Sequence, residues 1–180
     1  ELMSGLVIFG TRPEAIKLAP VVAGLRGADP QADFEVVCTG QHAEIMTQTL
    51  NALELMVDTN LHLMQVDQTP IQVVRRIIDR LSERYSSRSP DWVLVQGDTA
   101  TAFASAEFGY LSEAAVLHLE AGLRTHDVNE PWPEEGFRHA IARLAKIHLA
   151  PYPSAMRNLV AEGIDPKSIH VIGNTGFDSQ

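Results

Sequence analysis

The sequence predicts an α/β fold, a Rossmann-like three-layer arrangement in which a parallel sheet of about seven strands lies between helical layers, and three observations carry that prediction. Short β-rich runs alternate with longer segments of helical period, which is how stacked βα units read along a chain. Most of the runs are almost continuously apolar, as strands must be when helices cover both faces of a sheet. The 180 residues, 45% of them apolar and 21% charged, have globular composition and suffice for one core without staples.

The first strand candidate, residues 6–9, leads into Gly10 and a helix expected to start at Pro13, where the fixed φ of proline suits the first turn. Pro20 falls inside that helix and is expected to kink or split it. Residues 34–38 make the second strand and 61–64 the third, which is short and contains His62. Thr69 is a capping residue, Pro70 suits the first helical position, and Ile71, Val74, Ile77, Ile78 and Leu81 recur on one face, so a helix follows. The run at 92–96 ends in Gly97-Asp98-Thr99, and Asp98 is a natural N-cap for the helical residues from Ala100 to Phe108. Strand candidates at 115–119, 147–150 and 169–172 complete the set. Between the last two, Ser154 caps a segment with Met156, Leu159 and Val160 inward and Gly163 just past its end, where a left-handed residue costs least. No repeat, low-complexity tract or interior linker interrupts the chain, so residues 1–180 read as a single Rossmann-like domain.

Charge and cysteine content exclude several functions. Fourteen Lys and Arg against 23 Asp and Glu leave −9 at pH 7, which disfavours a nucleic-acid partner, because neutralising phosphates calls for a basic face. Cys38 is the only cysteine, so no intramolecular disulfide forms and a thiolate zinc site lacks ligands. The apolar stretches fall far below the roughly 18 residues that span a membrane, and no signal-peptide pattern opens the chain. A soluble cytoplasmic protein with no membrane partner is expected.

In an open parallel sheet, ligands bind beyond the carboxyl ends of the strands. The first strand runs into Gly10-Thr11-Arg12-Pro13-Glu14, which sets a guanidinium beside a helix N-terminus whose free backbone donors attract phosphate. Arg12 reads equally as a solvated turn residue. The second strand ends in Gly40-Gln41-His42, where Gln41 and His42 either face the crevice or serve capping and turn chemistry. The fifth delivers His118-Leu119-Glu120, and a charge directly after an apolar strand calls for a partner or a task. Then comes Pro131-Trp132-Pro133-Glu134-Glu135-Gly136-Phe137-Arg138, in which Glu134 and Arg138 share a helix face at i and i+4, as a surface salt bridge also would. Together Arg12, Asp98, Glu120, Glu134 and Arg138 suit proton transfer at a substrate carrying phosphate. The carboxylates act as acid and base, and the arginines hold the phosphate bidentately. No clustered His/Cys metal spacing and no serine elbow motif is present in the sequence.

Several of these segments occur in a recognisable order. Gly10-Thr11-Arg12-Pro13-Glu14-Ala15, Gly40-Gln41-His42, Gly97-Asp98-Thr99, Glu120-Ala121-Gly122-Leu123-Arg124, Pro131-Trp132-Pro133-Glu134-Glu135 with Arg138, and Gly173-Asn174-Thr175 have the spacing of the non-hydrolysing UDP-N-acetylglucosamine 2-epimerases. The chain resembles that family from about residue 6 to residue 178. The resemblance implies inversion at C2 of UDP-GlcNAc to give UDP-ManNAc, by eliminating UDP to a 2-acetamidoglucal and re-adding it to a rotated sugar, with no nicotinamide, other cofactor or metal. It implies that Asp98, Glu120 and Glu134 are the acid/base carboxylates, and that Arg12 and Arg138 contact the nucleotide sugar or support the site. Gln41 and His42 lie in a segment resembling the one that lines a second, regulatory UDP-GlcNAc site in bacterial members. A homodimer and a role in cell-envelope polysaccharide biosynthesis are further expectations from the resemblance.

The family has two Rossmann-like lobes, a glycosyltransferase-B-type fold, with the active site between them. This sequence matches the N-terminal lobe, so the C-terminal UDP-binding lobe and its catalytic His are expected to be absent and the chain alone to have little epimerase activity. Gln96 stands where a His commonly precedes Gly-Asp-Thr, Phe137 where an Asn usually precedes the Arg, and Glu44 where a different residue often follows Gln-His. Two other readings stand beside this one: a hydrolysing relative that releases UDP and free ManNAc, and a non-catalytic binding or dimerisation module.

Overall fold

The computed structural model describes residues 3–40 and 44–177. Among these, seven strands form one sheet: β1 (Ser4–Phe9), β2 (Asp33–Cys38), β3 (Thr59–Asn60), β4 (Trp92–Gln96), β5 (Ala115–Leu119), β6 (Ile147–Ala150) and β7 (Ile169–Val171). Their order is β3-β2-β1-β4-β5-β6-β7, and every adjacent pair is parallel. The helices α1 (Arg12–Ala28), α2 (Glu44–Ala52), α3 (Pro70–Arg84), α4 (Ala100–Leu111), α5 (Glu134–Leu144) and α6 (Pro153–Ala161) supply the connections.

Side-chain alternation along the strands builds the layers. Leu6, Ile8, Val37, Val93, Val95 and Val116 share one apolar cluster with Ile77 and Leu81 of α3 and Ile141 of α5. Their alternates Val7, Phe9, Val36, Cys38, Leu94 and Leu119 share another with Leu18 and Val22 of α1 and Leu50 of α2. Each strand residue is thus committed to one face by the period of two, and both faces are covered. Ala121, Ala150, Ala155, Leu159 and Ile169 form a third cluster that packs α6 onto the β6–β7 end. The expected fold class is therefore the observed one.

Three local expectations are corrected. The third strand lies at Thr59–Asn60 and not at 61–64. The chain still bonds along β2 afterwards, through Leu61 N to Cys38 O and Leu63 N to Thr39 O, but His62 adopts φ 51°, which is incompatible with an extended run. The first helix starts at Arg12 and runs through Pro20 unsplit, so the loss of one helical donor is tolerated there. In α6 the N-cap is Tyr152, with Pro153 opening the helix and Ser154 inside its first turn, while Val160 is 40% exposed.

The strand order reverses direction between β1 and β4, and the crevice at such a switch point is the natural ligand site. The loops that leave these strands approach closely. A Cβ on Gly10 would lie 2.4 Å from Thr101 Oγ1 and 2.7 Å from Thr39 Oγ1, so only glycine fits where the β1, β2 and β4 connections meet.

Candidate functional site

The chain's own carboxylate turns back into the β1–α1 corner and takes two of its backbone donors. Glu14, 1% exposed, accepts from the Gly10 and Thr11 backbone N–H groups at 3.0 and 2.7 Å and from the Thr11 hydroxyl at 2.8 Å, all through Oε2. Its Oε1 accepts from the Thr99 hydroxyl at 2.8 Å, which ties the loop after β1 to the loop after β4. Burial pushes the Glu14 pKa up, against these hydrogen bonds. The Gly10 and Thr11 donors at this corner are therefore occupied, and Arg12 is exposed there, with no ion pair among the described residues.

At the end of β4 the structure assigns the cap differently from the sequence reading. Thr99 is the N-cap of α4, its hydroxyl accepting from Ala102 N at 3.0 Å, and this releases the Asp98 side chain. Arg138 takes it: Nε and Nη2 lie 2.8 and 2.6 Å from Asp98 Oδ2. The same guanidinium places Nη1 2.8 Å from Glu135 Oε2, so Arg138 pairs with Asp98 and Glu135 and makes no salt bridge with Glu134. Glu135 is fully buried in the first turn of α5, where a carboxylate also favours the helix N-terminus. Burial alone would raise its pKa, but bonds from Arg138 and from the Thr125 and His126 N–H groups outweigh it and hold the carboxyl below its usual range. Glu134 is half-buried one position earlier, with no ion-pair partner among the described residues.

The end of β5 is shaped by backbone strain. Glu120 has φ 65°, a left-handed value that costs a non-glycine residue on the order of 1 kcal/mol and turns the chain out of the sheet. Its Oε2 is paired with Lys17 Nζ of α1. Lys17 was not among the residues singled out from the sequence. Its partner lies 103 positions away, and the one local signal is that it follows Glu14 by three places, on the helix face turned toward the strand ends. Thr175 bonds the Lys17 carbonyl at 2.7 Å, so the Gly173-Asn174-Thr175 segment packs against the same helix.

Asp98 and Glu120 thus follow adjacent parallel strands. The turn between β4 and Asp98 is tied to β5 by Gly97 N donating to Leu119 O at 2.9 Å. His118 is 1% exposed, and its Nε2 lies 2.7 Å from Gly97 O. Burial pushes its pKa down to about 4, with His148 and Arg124 adding to the effect and the Gly97 bond opposing it. A further charged group extends from α5 toward α6: His139 lies 3.4 Å from Glu135 and 3.5 Å from Glu162, and Glu162 forms a forked pair with Arg124 at 2.7 and 2.9 Å.

The structure therefore brings Arg12, Asp98, Glu120, Glu134 and Arg138 to the carboxyl edge of the sheet, and adds Lys17 and Glu135. Gln41, His42 and the side chain of Glu44 lie outside the described residues. Phe137 packs on the apolar cluster and stacks on Phe103 at 4.8 Å with an 11° interplanar angle, and Gln96 is buried at the end of β4.

The model of the UDP-N-acetylglucosamine 2-epimerase family matches residues 21–180. A UDP-N-acetylglucosamine 2-epimerase of Salmonella typhimurium is 41% identical over 177 residues, covering 98% of this chain and 47% of that protein. Among solved structures, UDP-GlcNAc 2-epimerase from Neisseria meningitidis bound to UDP-GlcNAc superposes with a TM-score of 0.92 at 38% identity, over 98% of this chain and 47% of that one. The Methanocaldococcus jannaschii UDP-GlcNAc 2-epimerase in complex with UDP-GlcNAc and UDP gives 0.90 at 33% identity, over 98% and 48%. The chain spans about half the length of the relatives it matches.

Proposed function

The chain belongs to the UDP-N-acetylglucosamine 2-epimerase family, and on that premise we propose that it forms the N-terminal lobe of an enzyme interconverting UDP-GlcNAc and UDP-ManNAc. The observation that carries the reading is the pair of carboxylates, Asp98 and Glu120, each held by its own cation at the ends of adjacent strands. The reaction needs a base that takes the proton from C2 while the C1–O bond to UDP breaks, so that the C–H electrons form the C1=C2 bond and UDP leaves with the C–O pair. Return of UDP to C1 with protonation of the opposite face of C2 gives the epimer. Asp98 and Glu120, fixed by Arg138 and Lys17, suit the two proton transfers. Glu134, without an ion-pair partner among the described residues, suits a carboxyl that changes protonation during the cycle.

Arg12, exposed beside the Glu14-filled corner, is the substrate-facing cation in this reading. Arg138 has Nε, Nη1 and Nη2 committed to Asp98 and Glu135, so its role is to support the site. Glu14 occupies the Gly10 and Thr11 backbone donors after β1, so this reading places the UDP diphosphate against the part of the relatives' length that the match does not span. Gln41 and His42 remain the proposed residues of a regulatory UDP-GlcNAc site. A homodimer is the proposed assembly, with exposed Ile71, Val128 and Trp132 supplying apolar surface, and sedimentation as a monomer would contradict it. No helix among the described residues is long and apolar enough to cross a membrane, which is compatible with the proposed cytoplasmic location.

The test is to incubate the chain with UDP-GlcNAc, alone and with the second half of the Salmonella relative, and to identify the products. UDP-ManNAc formed only in the mixture is expected. UDP with free ManNAc would assign a hydrolysing relative, full turnover by the chain alone would refute the missing lobe, and no product in either case would favour a binding module.

A further inference from the structure

The proposed reaction gives Asp98 a task but leaves His118 without one, although this imidazole is 1% exposed and touches the turn that carries Asp98. We propose that His118 is a positioning residue for Asp98, its Nε2–H holding the Gly97 carbonyl so that the turn after β4 delivers the Asp98 carboxylate to Arg138. The catalytic meaning of that placement rests on the function proposed above; the placement itself does not.

Gly97 has φ +72°, and both of its backbone polar atoms are bound by consecutive residues of β5. Its N–H donates to Leu119 O at 2.9 Å, and its carbonyl meets His118 Nε2 at 2.7 Å. A carbonyl only accepts, so Nε2 must carry the hydrogen, which leaves Nδ1 as the bare acceptor. That Nδ1 is buried without a partner among the described residues, as is Nδ1 of His148, the residue opposite it on β6. A buried acceptor left unpaired is a cost that a phenylalanine or leucine at this place would avoid. The feature that an apolar residue cannot reproduce is the Nε2 donor, and its one acceptor is the peptide immediately before Asp98. The turn then feeds the carboxylate into the Arg138 fork at 2.8 and 2.6 Å. A shift in the Gly97 peptide is a shift in the base of the Asp98 side chain.

The experiment uses the 15N-labelled chain and reads solvent exchange of the Arg138 Nε–H, which is bonded to Asp98, together with the 15N shifts of the His118 ring. The wild-type ring should show the Nε2–H tautomer. His118→Phe removes the donor with little change in shape, and the Arg138 Nε–H should then exchange up to about tenfold faster, as loss of one hydrogen bond allows. His118→Gln, whose amide nitrogen reaches the same carbonyl, should restore an exchange rate within about twofold of wild type, a factor smaller than the loss of a hydrogen bond gives. Gly97→Ala provides an independent variant. Its Cβ meets nothing within 4 Å, but the left-handed φ is unfavourable for alanine, so it disturbs the turn without touching His118 and should speed exchange as His118→Phe does.

A folded His118→Phe with wild-type exchange would overturn the proposal, as would the Nδ1–H tautomer in the wild-type chain. If His118→Phe does not fold, the glutamine variant decides: protection retained supports the role, and protection lost in a folded His118→Gln overturns it. None of these readouts involves turnover of UDP-GlcNAc, so failure of the activity reading and failure of this one are separately visible.

Discussion

Asp98 and Glu120 end neighbouring parallel strands and each meets a cation, but the two pairs are built in opposite ways. Asp98 faces a guanidinium that is itself gripped by the fully buried Glu135, and the turn beneath it is bonded to β5 at both polar atoms of Gly97. Glu120 itself takes the left-handed conformation and faces the single ammonium of Lys17, which no second carboxylate holds among the described residues; the two pairs are equally open to water. A planar fork shared by two carboxylates fixes direction, whereas a lysine at the end of a flexible stem supplies charge with little directional constraint. The difference assigns a rigid carboxylate to the Asp98 side of the crevice and an adjustable one to the Glu120 side.

The strongest way to break this contrast is to remove the buttress. Glu135→Ala leaves Arg138 Nη1 and the Thr125 and His126 N–H groups without their acceptor, with Nε and Nη2 still on Asp98, and should cost about 3 kcal/mol in urea unfolding, the low end of the range for a broken buried ion pair. A loss below about 1 kcal/mol, within the range of a surface pair, would remove the distinction.

Acid should act on the Asp98 side at nearly the same scale, through His118. Its folded pKa of about 4 lies below the usual 6.5 of an imidazole, so the unfolded chain binds the extra proton as pH falls from 6.5 to about 4. The stability contributed by the neutral ring is fully present above pH 6.5 and lost progressively below it, by about 3 kcal/mol at the acid end of the window. The carboxylates titrate in the same range, so the quantity to measure is the difference in slope between wild type and His118→Gln. Equal slopes for the two proteins would contradict it.

The smallest effect is expected on the other side. Lys17→Met should cost about 0.5 kcal/mol, and this difference should shrink as salt is added, because the pair is partly open to water. A salt-independent loss as large as that of Glu135→Ala would show that the two pairs are alike.

The parts of the fold visible in the sequence are those governed by local chemistry. The strands at Trp92–Gln96, Ala115–Leu119 and Ile147–Ala150 have the expected bounds, because apolar runs between turn signals specify buried parallel strands. The third strand departs from the expected 61–64 because nothing in that run announces that His62 takes a left-handed conformation. Candidate residues were found wherever a charge follows a strand. Their partners were not, because Lys17 with Glu120 and Arg138 with Asp98 are contacts across 103 and 40 positions. Sequence spacing favours Glu134 over Glu135, because the i,i+4 rule pairs 134 with 138, while the burial that selects 135 is set by how α5 lies on the sheet. The Glu14-filled corner shows the same limit. A helix N-terminus after a strand predicts free donors, and only the folded loop reveals that Glu14, the fifth residue of the motif, turns back to take those of Gly10 and Thr11.

If this lobe supplies the carboxylates for proton exchange at C2 of a UDP-linked N-acetylhexosamine, as proposed, C2 takes up solvent hydrogen during turnover. The most direct test is to incubate UDP-GlcNAc in heavy water with the chain and the second half of the Salmonella relative, then locate deuterium in the products. The expected result is UDP-ManNAc carrying deuterium at C2, with both product and label lost in Glu120→Gln. UDP-ManNAc without deuterium at C2, or unchanged labelling by Glu120→Gln, would contradict it.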